Sequence, residues 1–189
     1  KLYKNGKPFK MSKRADDFIS VQDLLDEVNK DSIRFMMLNR SNDVELDFDF
    51  EKVKEKSKDN PVFYVQYAFA RINSIIRSLK KNLTDEILVD PKSFNPNKYE
   101  EKIIRKIFQW PKIIESAAYK LEPHKIPFYL YELSTLFHSY WSKGNEDSNF
   151  KFIENGKVKR MESLIFMYLI AIVVKNGMNI LGVSLPEKM

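Results

Sequence analysis

The 189-residue chain holds 32 basic and 26 acidic residues, a formal charge of +6, and its hydrophobic content of 43% is enough for a packed core. The absence of cysteine excludes disulfides, thiolate metal ligands and a cysteine nucleophile, and two distant histidines, His124 and His138, do not predict a zinc site or a Ser-His-Asp triad. The longest apolar run, 164–174, is shorter than the roughly 20 residues of a membrane span and predicts a buried helix, and the polar, basic beginning does not resemble a signal peptide. We therefore expect no membrane partner and a cytoplasmic location.

The beginning of the chain carries the whole net charge. Six cationic and no acidic residues fall in positions 1–14, and the remaining positions hold equal numbers of both. Asn5-Gly6 is a favoured type I′ turn pair, so 1–9 predicts a hairpin of two short strands, and 10–17 predicts a loop. A basic loop suits a polyanion such as a nucleotide triphosphate, although charge alone also fits a solvated basic tail. Because the chain opens within a hairpin, we expect it to be a fragment of a longer protein.

Helix signals begin at Ser20, which forms a capping-box pattern with Asp23. The helix that follows has an apolar face made of Val21, Leu24, Leu25 and Val28. A second short helix is expected after Asp31, a favourable N-cap. The alternating segment 46–50 predicts an extended link into a short charged helix near 51–57.

The strongest helical patterns follow Asn60-Pro61. One apolar stripe steps by three and four residues through Val62, Val65, Phe69, Ile72, Ile76 and Leu79. After a loop at 85–96, a second stripe predicts one helix kinked at Pro111, with apolar positions Ile103, Ile107, Trp110, Ile114, Ala117 and Leu121. A third helix is expected to have Pro123 in its first turn and to end at Trp141.

The last part of the chain predicts a polar loop followed by one more helix. Residues 144–156 are polar, with an apolar interruption at 150–153, and the helix over 160–176 is expected to stop at Gly177. No strand is expected after Phe50. The fold class is therefore all-α in the main: a bundle of four or more helices, preceded by a short β-hairpin and the basic loop. We expect two units, 1–58 and 59–189.

One face of the Asn60 helix combines aromatic, cationic and hydroxyl side chains. The residues Tyr64, Tyr67, Arg71, Ser74 and Ser78 step by three and four, about 200° around the helix from the core stripe. Tyrosines exposed beside an arginine would suit stacking on unpaired RNA bases, and we expect the ring of Tyr67 to be substantially exposed. The alternative is that another helix covers this face and that the tyrosines belong to the core.

Aromatic residues also crowd together near the end of the third bundle helix. Phe137 is predicted to be core, whereas Trp141 at the helix end is a candidate for stacking. His138 is expected to be a hydrogen-bonded core or surface histidine. Acidic residues scatter over several elements and are interpreted as caps and solvated charge; they are Asp16, Asp17, Asp47, Asp49 and Asp59.

These motifs together resemble the arginyl-tRNA synthetases of bacterial type, over essentially the whole chain. The string Lys10-Met11-Ser12-Lys13-Arg14 is similar to the second signature of class I aminoacyl-tRNA synthetases, the KMSKR loop. Asp31-Ser32-Ile33-Arg34 is similar to the Asp-Ala-Leu-Arg string of the DALR anticodon-binding domain. The helix around Asn60-Pro61, through Ala70-Arg71, and the ending on Pro186-Glu187-Lys188-Met189 also resemble that family.

The resemblance implies an activity for the longer protein and roles for single residues. The enzyme would activate arginine with ATP and Mg²⁺ and transfer it to its tRNA. Lys10 and Lys13 would be catalytic and, with Met11, Ser12 and Arg14, would bind the ATP phosphates. The bundle would bind the anticodon stem-loop of the tRNA for arginine. The candidate tRNA-binding residues are Tyr64, Gln66, Tyr67, Arg71, Trp141 and Met189.

The first class I signature, the nucleotide-binding fold around it and the arginine pocket are absent from the sequence. The isolated chain is therefore expected to be inactive in aminoacylation, and a monomer is expected. One alternative is a class I synthetase for cysteine or methionine, against which the Tyr64–Arg71 helix and the Met189 ending argue. The other is a helical protein-interaction module without an RNA role, which salt-sensitive RNA binding would exclude.

Overall fold

The computed structural model describes residues 1–4, 6–9, 20–79 and 95–189. In the first part of the chain the elements are β1 (Leu2–Lys4), β2 (Lys7–Phe9), α1 (Val21–Glu27), α2 (Lys30–Leu38), β3 (Phe48–Asp49) and α3 (Phe50–Lys54). The strands form a sheet in the order β2-β1-β3. β1 and β2 are antiparallel, with Tyr3 opposite Pro8, which confirms the predicted hairpin, and β3 joins β1 in parallel. The predicted basic loop at 10–17 lies outside the described residues.

A small core joins this sheet to α1, α2 and α3. It contains the buried side chains of Leu24, Val28, Ile33, Phe48, Phe50 and Val53. The capping box of α1 is confirmed, because the N–H of Asp23 donates to Ser20 Oγ over 3.1 Å and the N–H of Ser20 donates to Asp23 Oδ2 over 2.7 Å. The predicted apolar face was wrong at Val21 and Leu25, whose side chains are exposed because only the face of Leu24 and Val28 meets the sheet.

The predicted N-cap of α2 was wrong. Asn29 caps the helix, because its Oδ1 accepts a hydrogen bond from the N–H of Ser32 over 2.8 Å. Asp31 lies inside the first turn, where its negative charge is favourable near the positive end of the helix dipole. Its carboxylate is therefore available for other contacts.

The second part of the chain is a helical bundle. Its elements are α4 (Pro61–Ser78), α5 (Lys98–Phe108), α6 (Trp110–Tyr119), α7 (Lys125–Glu146), a 3₁₀ turn (Ser148–Phe150), β4 (Ile153–Glu154), β5 (Lys157–Val158) and α8 (Met161–Leu181). Helices α4, α7 and α8 pack on one another, and α5 and α6 pack on α7. The fully buried positions include Val65, Ile72, Leu130, Leu133, Phe137, Leu164, Met167 and Val174. The predicted class, mainly all-α, is confirmed.

Two predicted helix boundaries around α6 and α7 were wrong. The stripe through Pro111 belongs to two helices, since α5 ends at Phe108 and Pro111 stands in the first turn of α6, where the N–H that proline lacks would have no helical partner. Leu121, the expected end of that stripe, is 77% exposed. Helix α7 begins after Pro123 and continues beyond Trp141 to Glu146.

Gly177 lies inside α8 and does not end it. A Cβ at this position would lie 2.7 Å from Cδ2 of Leu130, so glycine allows α8 to approach α7 closely. The helix ends at Leu181, and Gly182 follows in the left-handed conformation with φ of 66°.

The expectation that no strand follows Phe50 was also wrong. β4 and β5 pair antiparallel, with Ile153 opposite Val158. The connecting Asn155-Gly156 has positive φ at both residues, 53° and 73°. That dipeptide is a strong hairpin signal, so the sequence contained the information.

Helix α8 is the most apolar helix of the bundle. Its segment Glu162–Leu181 is long and apolar enough to cross a membrane by length and composition alone, but 61% of that stretch is buried within the protein. It packs against α4, α5 and α7. The helix is therefore largely buried in the core, as the apolar run 164–174 predicted.

One carboxylate is fully buried in the bundle. Glu100 in the first turn of α5 accepts hydrogen bonds from the Tyr140 hydroxyl at 2.8 Å and from Ser163 Oγ at 3.0 Å, and it pairs with Arg160 at 3.0 Å. Burial raises the pKa of Tyr140 to about 12, so its hydroxyl remains a donor at neutral pH. The network ties α5 to α7 and α8 beside Phe152, whose ring lies 4.4 Å from that of Tyr140.

Candidate nucleic-acid interface

The polar face of α4 is built around Tyr67. Its ring stacks on Phe63 at 5.7 Å between centroids and on His138 of α7 at 5.6 Å. The guanidinium of Arg71 lies over the same ring, 4.4 Å from its centroid, and donates to the Tyr67 hydroxyl. Tyr67 is half-buried, so the expected large exposure was wrong, because Phe63, His138 and Arg71 cover part of the ring.

Arg71 also reaches Trp141 on α7. Its guanidinium carbon lies 5.2 Å from the Trp141 ring centroid, so one planar cation lies within range of two aromatic rings on different helices. Trp141 in turn stacks on Phe152 at 5.7 Å, with an angle of 18° between the ring planes. The expectation that Trp141 ends its helix was wrong, yet its ring is only partly buried.

Tyr64 lies one turn before Tyr67 but faces a different environment. Its ring packs against Tyr131 at 5.2 Å and His138 at 4.4 Å, and burial raises its pKa. His138 is 7% exposed, and its Nε2 lies 3.3 Å from the carbonyl oxygen of Tyr64. Burial lowers the pKa of His138 to about 4, so the imidazole is neutral at physiological pH and supports the tyrosines as an uncharged ring. Of the two places left open for His138, core or surface, the structure shows the core, and Phe137 beside it is fully buried as predicted.

A cleft of about 690 Å³ opens beside Arg71, and we call it the cationic cleft. It is lined by Tyr67, Ala70, Arg71, Ser74, Arg77, Ser78, Lys188 and Met189. Three of these residues are cationic, none has an acidic side chain, and three carry a hydroxyl group. The positive charge and the partly exposed aromatic edge suit an anionic, ring-containing ligand.

The C-terminal tail, which we define as residues 183–189, forms one wall of this cleft. Gln66 donates from Nε2 to the carbonyl oxygen of Ser184 over 2.9 Å, and Arg77 donates to the carbonyl oxygen of Glu187 over 2.9 Å. Met189 is 54% exposed. Among the predicted tRNA-binding residues, Tyr67, Arg71 and Met189 line the cleft directly. Trp141 contacts Arg71, Gln66 holds the tail, and Tyr64 packs behind the site.

The predicted catalytic and ATP-binding residues lie outside the described residues. This applies to Lys10, Met11, Ser12, Lys13 and Arg14. Within the described ranges, no group of three or more histidine, aspartate or glutamate side chains is placed to hold a metal ion. The acidic residues there act in part as caps, as Asp49 does for α3.

A model of the DALR anticodon-binding domain matches residues 65–189, which include most of α4, the cationic cleft and the tail. The chain belongs to the DALR anticodon-binding domain family. The family match begins near the start of α4 and therefore covers the bundle with all of the residues that form the cleft.

Relatives that match over the whole of this chain include proteins named arginine–tRNA ligase. The chain is 55% identical over 189 residues to the enzyme of Pelagibacter ubique and 45% identical over 198 residues to that of Rhizobium etli. All of this chain but only 33% of each relative is covered, so the chain spans about a third of their length. These matches confirm the resemblance to arginyl-tRNA synthetases.

Comparison with solved structures also finds arginyl-tRNA synthetases. A Campylobacter jejuni structure assigned to the arginyl-tRNA synthetases superposes with a TM-score of 0.82 and 27% identity, over 100% of this chain and 39% of that one. The arginyl-tRNA synthetase of Thermus thermophilus gives a TM-score of 0.65 at 22% identity, over 94% of this chain and 29% of that one, which shows the shared fold.

Several residues of the site were not found from the sequence. Arg77 lies in the last turn of α4, Lys188 reaches the cleft because the tail folds back along that helix, and Phe152 supports Trp141 from the 3₁₀–β4 segment. The only available signal for Phe152 was the apolar interruption of a polar stretch at 150–153. Lys188 was noted only as part of the family-like ending, and Arg77, three residues after Ser74, borders the predicted polar face of the helix.

Proposed function

We propose that the chain is the C-terminal part of an arginine–tRNA ligase and that its bundle binds the anticodon stem-loop of the tRNA for arginine. The observation that carries this proposal is the cationic cleft, in which Arg71 lies against both Tyr67 and Trp141 in a member of the DALR family.

The cleft offers the two interactions that unpaired RNA requires. Aromatic and guanidinium planes can stack on splayed bases, each stack contributing roughly 1–3 kcal/mol, and Arg77 and Lys188 can neutralise phosphates. Ser74 and Ser78 supply hydroxyl groups that both donate and accept hydrogen bonds. A base-paired helix would not offer its ring faces, so the loop of the stem-loop fits the cleft better than its stem.

The remaining steps of the reaction are assigned to the longer protein. Its substrates include ATP and arginine, and Mg²⁺ is its cofactor. Lys10 and Lys13 of the KMSKR loop contact the ATP phosphates during arginine activation. Residues 1–58 are the end of its catalytic module, and 59–189 are the anticodon-binding bundle. The isolated chain binds tRNA but does not activate arginine, and it acts as a monomer in the cytoplasm.

Titration of the isolated chain with labelled tRNA transcripts tests the proposal. The tRNA for arginine should bind, and its affinity should fall steeply between about 50 and 200 mM salt because phosphate contacts release counterions. An unrelated tRNA of equal length should bind more weakly. Equal affinities for both transcripts would count against anticodon recognition, and salt-independent or absent binding would leave the chain as a protein-interaction module.

A further inference from the structure

Two residues of the short helix α2 hold the far end of the chain. Asp31 accepts a hydrogen bond from Ser184 Oγ, and Arg34 donates from Nε to the carbonyl oxygen of Leu181. These are the first and last residues of the Asp31–Arg34 string, which lies about 150 positions earlier in the sequence than the residues it holds. Both contacts meet the short stretch where the chain leaves α8 and becomes the tail.

The end of α8 explains why an external donor is needed there. The N–H of Val183 donates to Met178 over 2.9 Å and the N–H of Gly182 donates to Asn179 over 3.0 Å, the pattern of a Schellman motif. This motif satisfies two of the last carbonyl groups, and Arg34 serves the carbonyl of Leu181. A cation is also favourable at the negative end of the helix dipole.

Gly182 makes the approach of Arg34 possible. A Cβ at position 182 would lie 2.8 Å from Arg34 Nε, and φ of 66° disfavours other residues there. The turn therefore combines a left-handed glycine with a guanidinium packed against it. Both features fix the direction in which the tail departs.

From this turn the tail runs to the cationic cleft. Ser184 is held from two sides, by Asp31 of α2 through its hydroxyl and by Gln66 of α4 through its carbonyl oxygen. Arg77 then binds Glu187, and Lys188 and Met189 line the cleft. The tail carries one of the three cations of the cleft, so its position determines part of the binding surface.

We infer that Asp31 and Arg34 are positioning residues of the RNA site: they clasp the start of the tail and thereby place Lys188 and Met189 at the cleft. The inference rests on the proposed function. Arg34 and Ser184 are exposed and Asp31 is partly buried, and polar contacts whose groups reach solvent contribute little to folding. Their effect should therefore appear at the tail and not in global stability.

A double-mutant cycle on the chain tests this inference with a tRNA transcript for arginine as the probe. The substitutions Asp31→Ala and Arg34→Ala should together weaken binding about five- to tenfold, the amount expected for two lost hydrogen bonds of a positioned group. In a chain shortened by Lys188 and Met189, the same substitutions should change affinity less than about twofold, because the residues that they position are gone. Equal losses in both chains would overturn the inference.

Matched variants separate positioning from charge. Asp31→Asn keeps an oxygen that can accept from Ser184 and should retain wild-type affinity, whereas Asp31→Ala should not. Asp43→Ala and Arg40→Ala remove the same charges from exposed positions of the same unit and serve as controls. A loss of affinity in the controls equal to that of the clasp variants would mean a general charge effect and would contradict the inference.

A measurement without RNA keeps this inference distinct from the proposed function. Carboxypeptidase should remove Lys188 and Met189 faster from the Asp31→Ala/Arg34→Ala chain than from the wild type or the control variants, with unchanged denaturant midpoints. Unchanged digestion rates would contradict the inference that Asp31 and Arg34 hold the start of the tail in place. Failure of the wild-type chain to bind tRNA would instead overturn the proposed function, whatever the digestion shows.

Discussion

Arg71 lies over the ring of Tyr67 one turn away on the same helix, with 4.4 Å between its guanidinium carbon and the ring centroid. The pair is partly exposed on the side that faces the cationic cleft, and His138 stacks on the ring of Tyr67. Because Trp141 approaches the same guanidinium, the plane of Arg71 is fixed by two rings. A fixed planar cation can stack on a base without the entropy loss of ordering a free side chain.

Arg71 should therefore matter for its shape as well as its charge. Arg71→Met should weaken binding of the tRNA for arginine by about 10- to 100-fold, and Arg71→Lys should recover less than half of that loss in free energy, because lysine has no plane to stack. Mobility-shift titration measures both. The matched control is Arg105→Met on the exposed face of α5, which should change affinity little. Full recovery by lysine would show that only the charge is used.

Tyr67→Ala should affect both folding and binding, because the ring is half-buried and also borders the cleft. We expect a stability loss of about 2 kcal/mol, below the 3–5 kcal/mol of a fully buried aromatic residue, and a loss of about 1–3 kcal/mol in tRNA binding. Urea unfolding and titration on the same variant measure the two effects. Tyr67→Phe keeps the ring and is the control; if it weakened binding as much as alanine, the hydroxyl and not the stack would be the important group.

Arg160→Met should destabilise the bundle by about 2–3 kcal/mol, because it leaves the buried carboxylate of Glu100 without its cation while Arg160 itself reaches solvent. Adding Glu100→Gln to that variant should recover part of the loss, since the uncompensated charge is removed. Denaturant midpoints of the two single variants and the double variant give the coupling. Strictly additive losses would show that the ion pair contributes nothing specific.

Stability should fall on acidification in a manner that depends on His138. Its folded-state pKa of about 4 lies below the ordinary value of 6.5, so between these values the unfolded chain binds the extra proton. The contribution of neutral His138 to the free energy of unfolding is complete above pH 6.5. It is lost as the pH falls towards 4, by up to about 3 kcal/mol. Urea unfolding of wild type and His138→Gln over that window measures it. An unchanged dependence of the free energy of unfolding on pH in His138→Gln would contradict the assignment.

Local signals were sufficient for helix α4 and for part of the site. The Asn60-Pro61 start and the spacing of Tyr67 and Arg71 are properties of one helix, so the sequence predicted both α4 and the grouping of these two side chains on one of its faces. The hairpin at Asn155-Gly156 was missed because its strands have two residues each, too few to show an alternating pattern.

Features that depend on distant contacts could not be predicted. Asn29 and Asp31 are both good caps, and the burial of Ser32 and Ile33 selects the earlier one. In the sequence Gly177 looks like a helix terminator, and only the close contact with Leu130 of α7 shows why a glycine stands inside α8. Likewise, Lys188 joins Arg71 only because the turn at Gly182 sends the tail back along α4.

The most direct test of the central claim is competition by isolated RNA hairpins for binding of the chain to the tRNA for arginine. One hairpin carries the anticodon stem-loop of that tRNA, and its control has the same stem and loop length with a different loop sequence. We expect the first hairpin to compete at least about tenfold better, since the proposed contacts of the cleft are with unpaired bases. We also expect Arg71→Met to abolish this difference. Equal competition by the two hairpins, or a difference that survives Arg71→Met, would contradict anticodon-loop recognition at the cationic cleft.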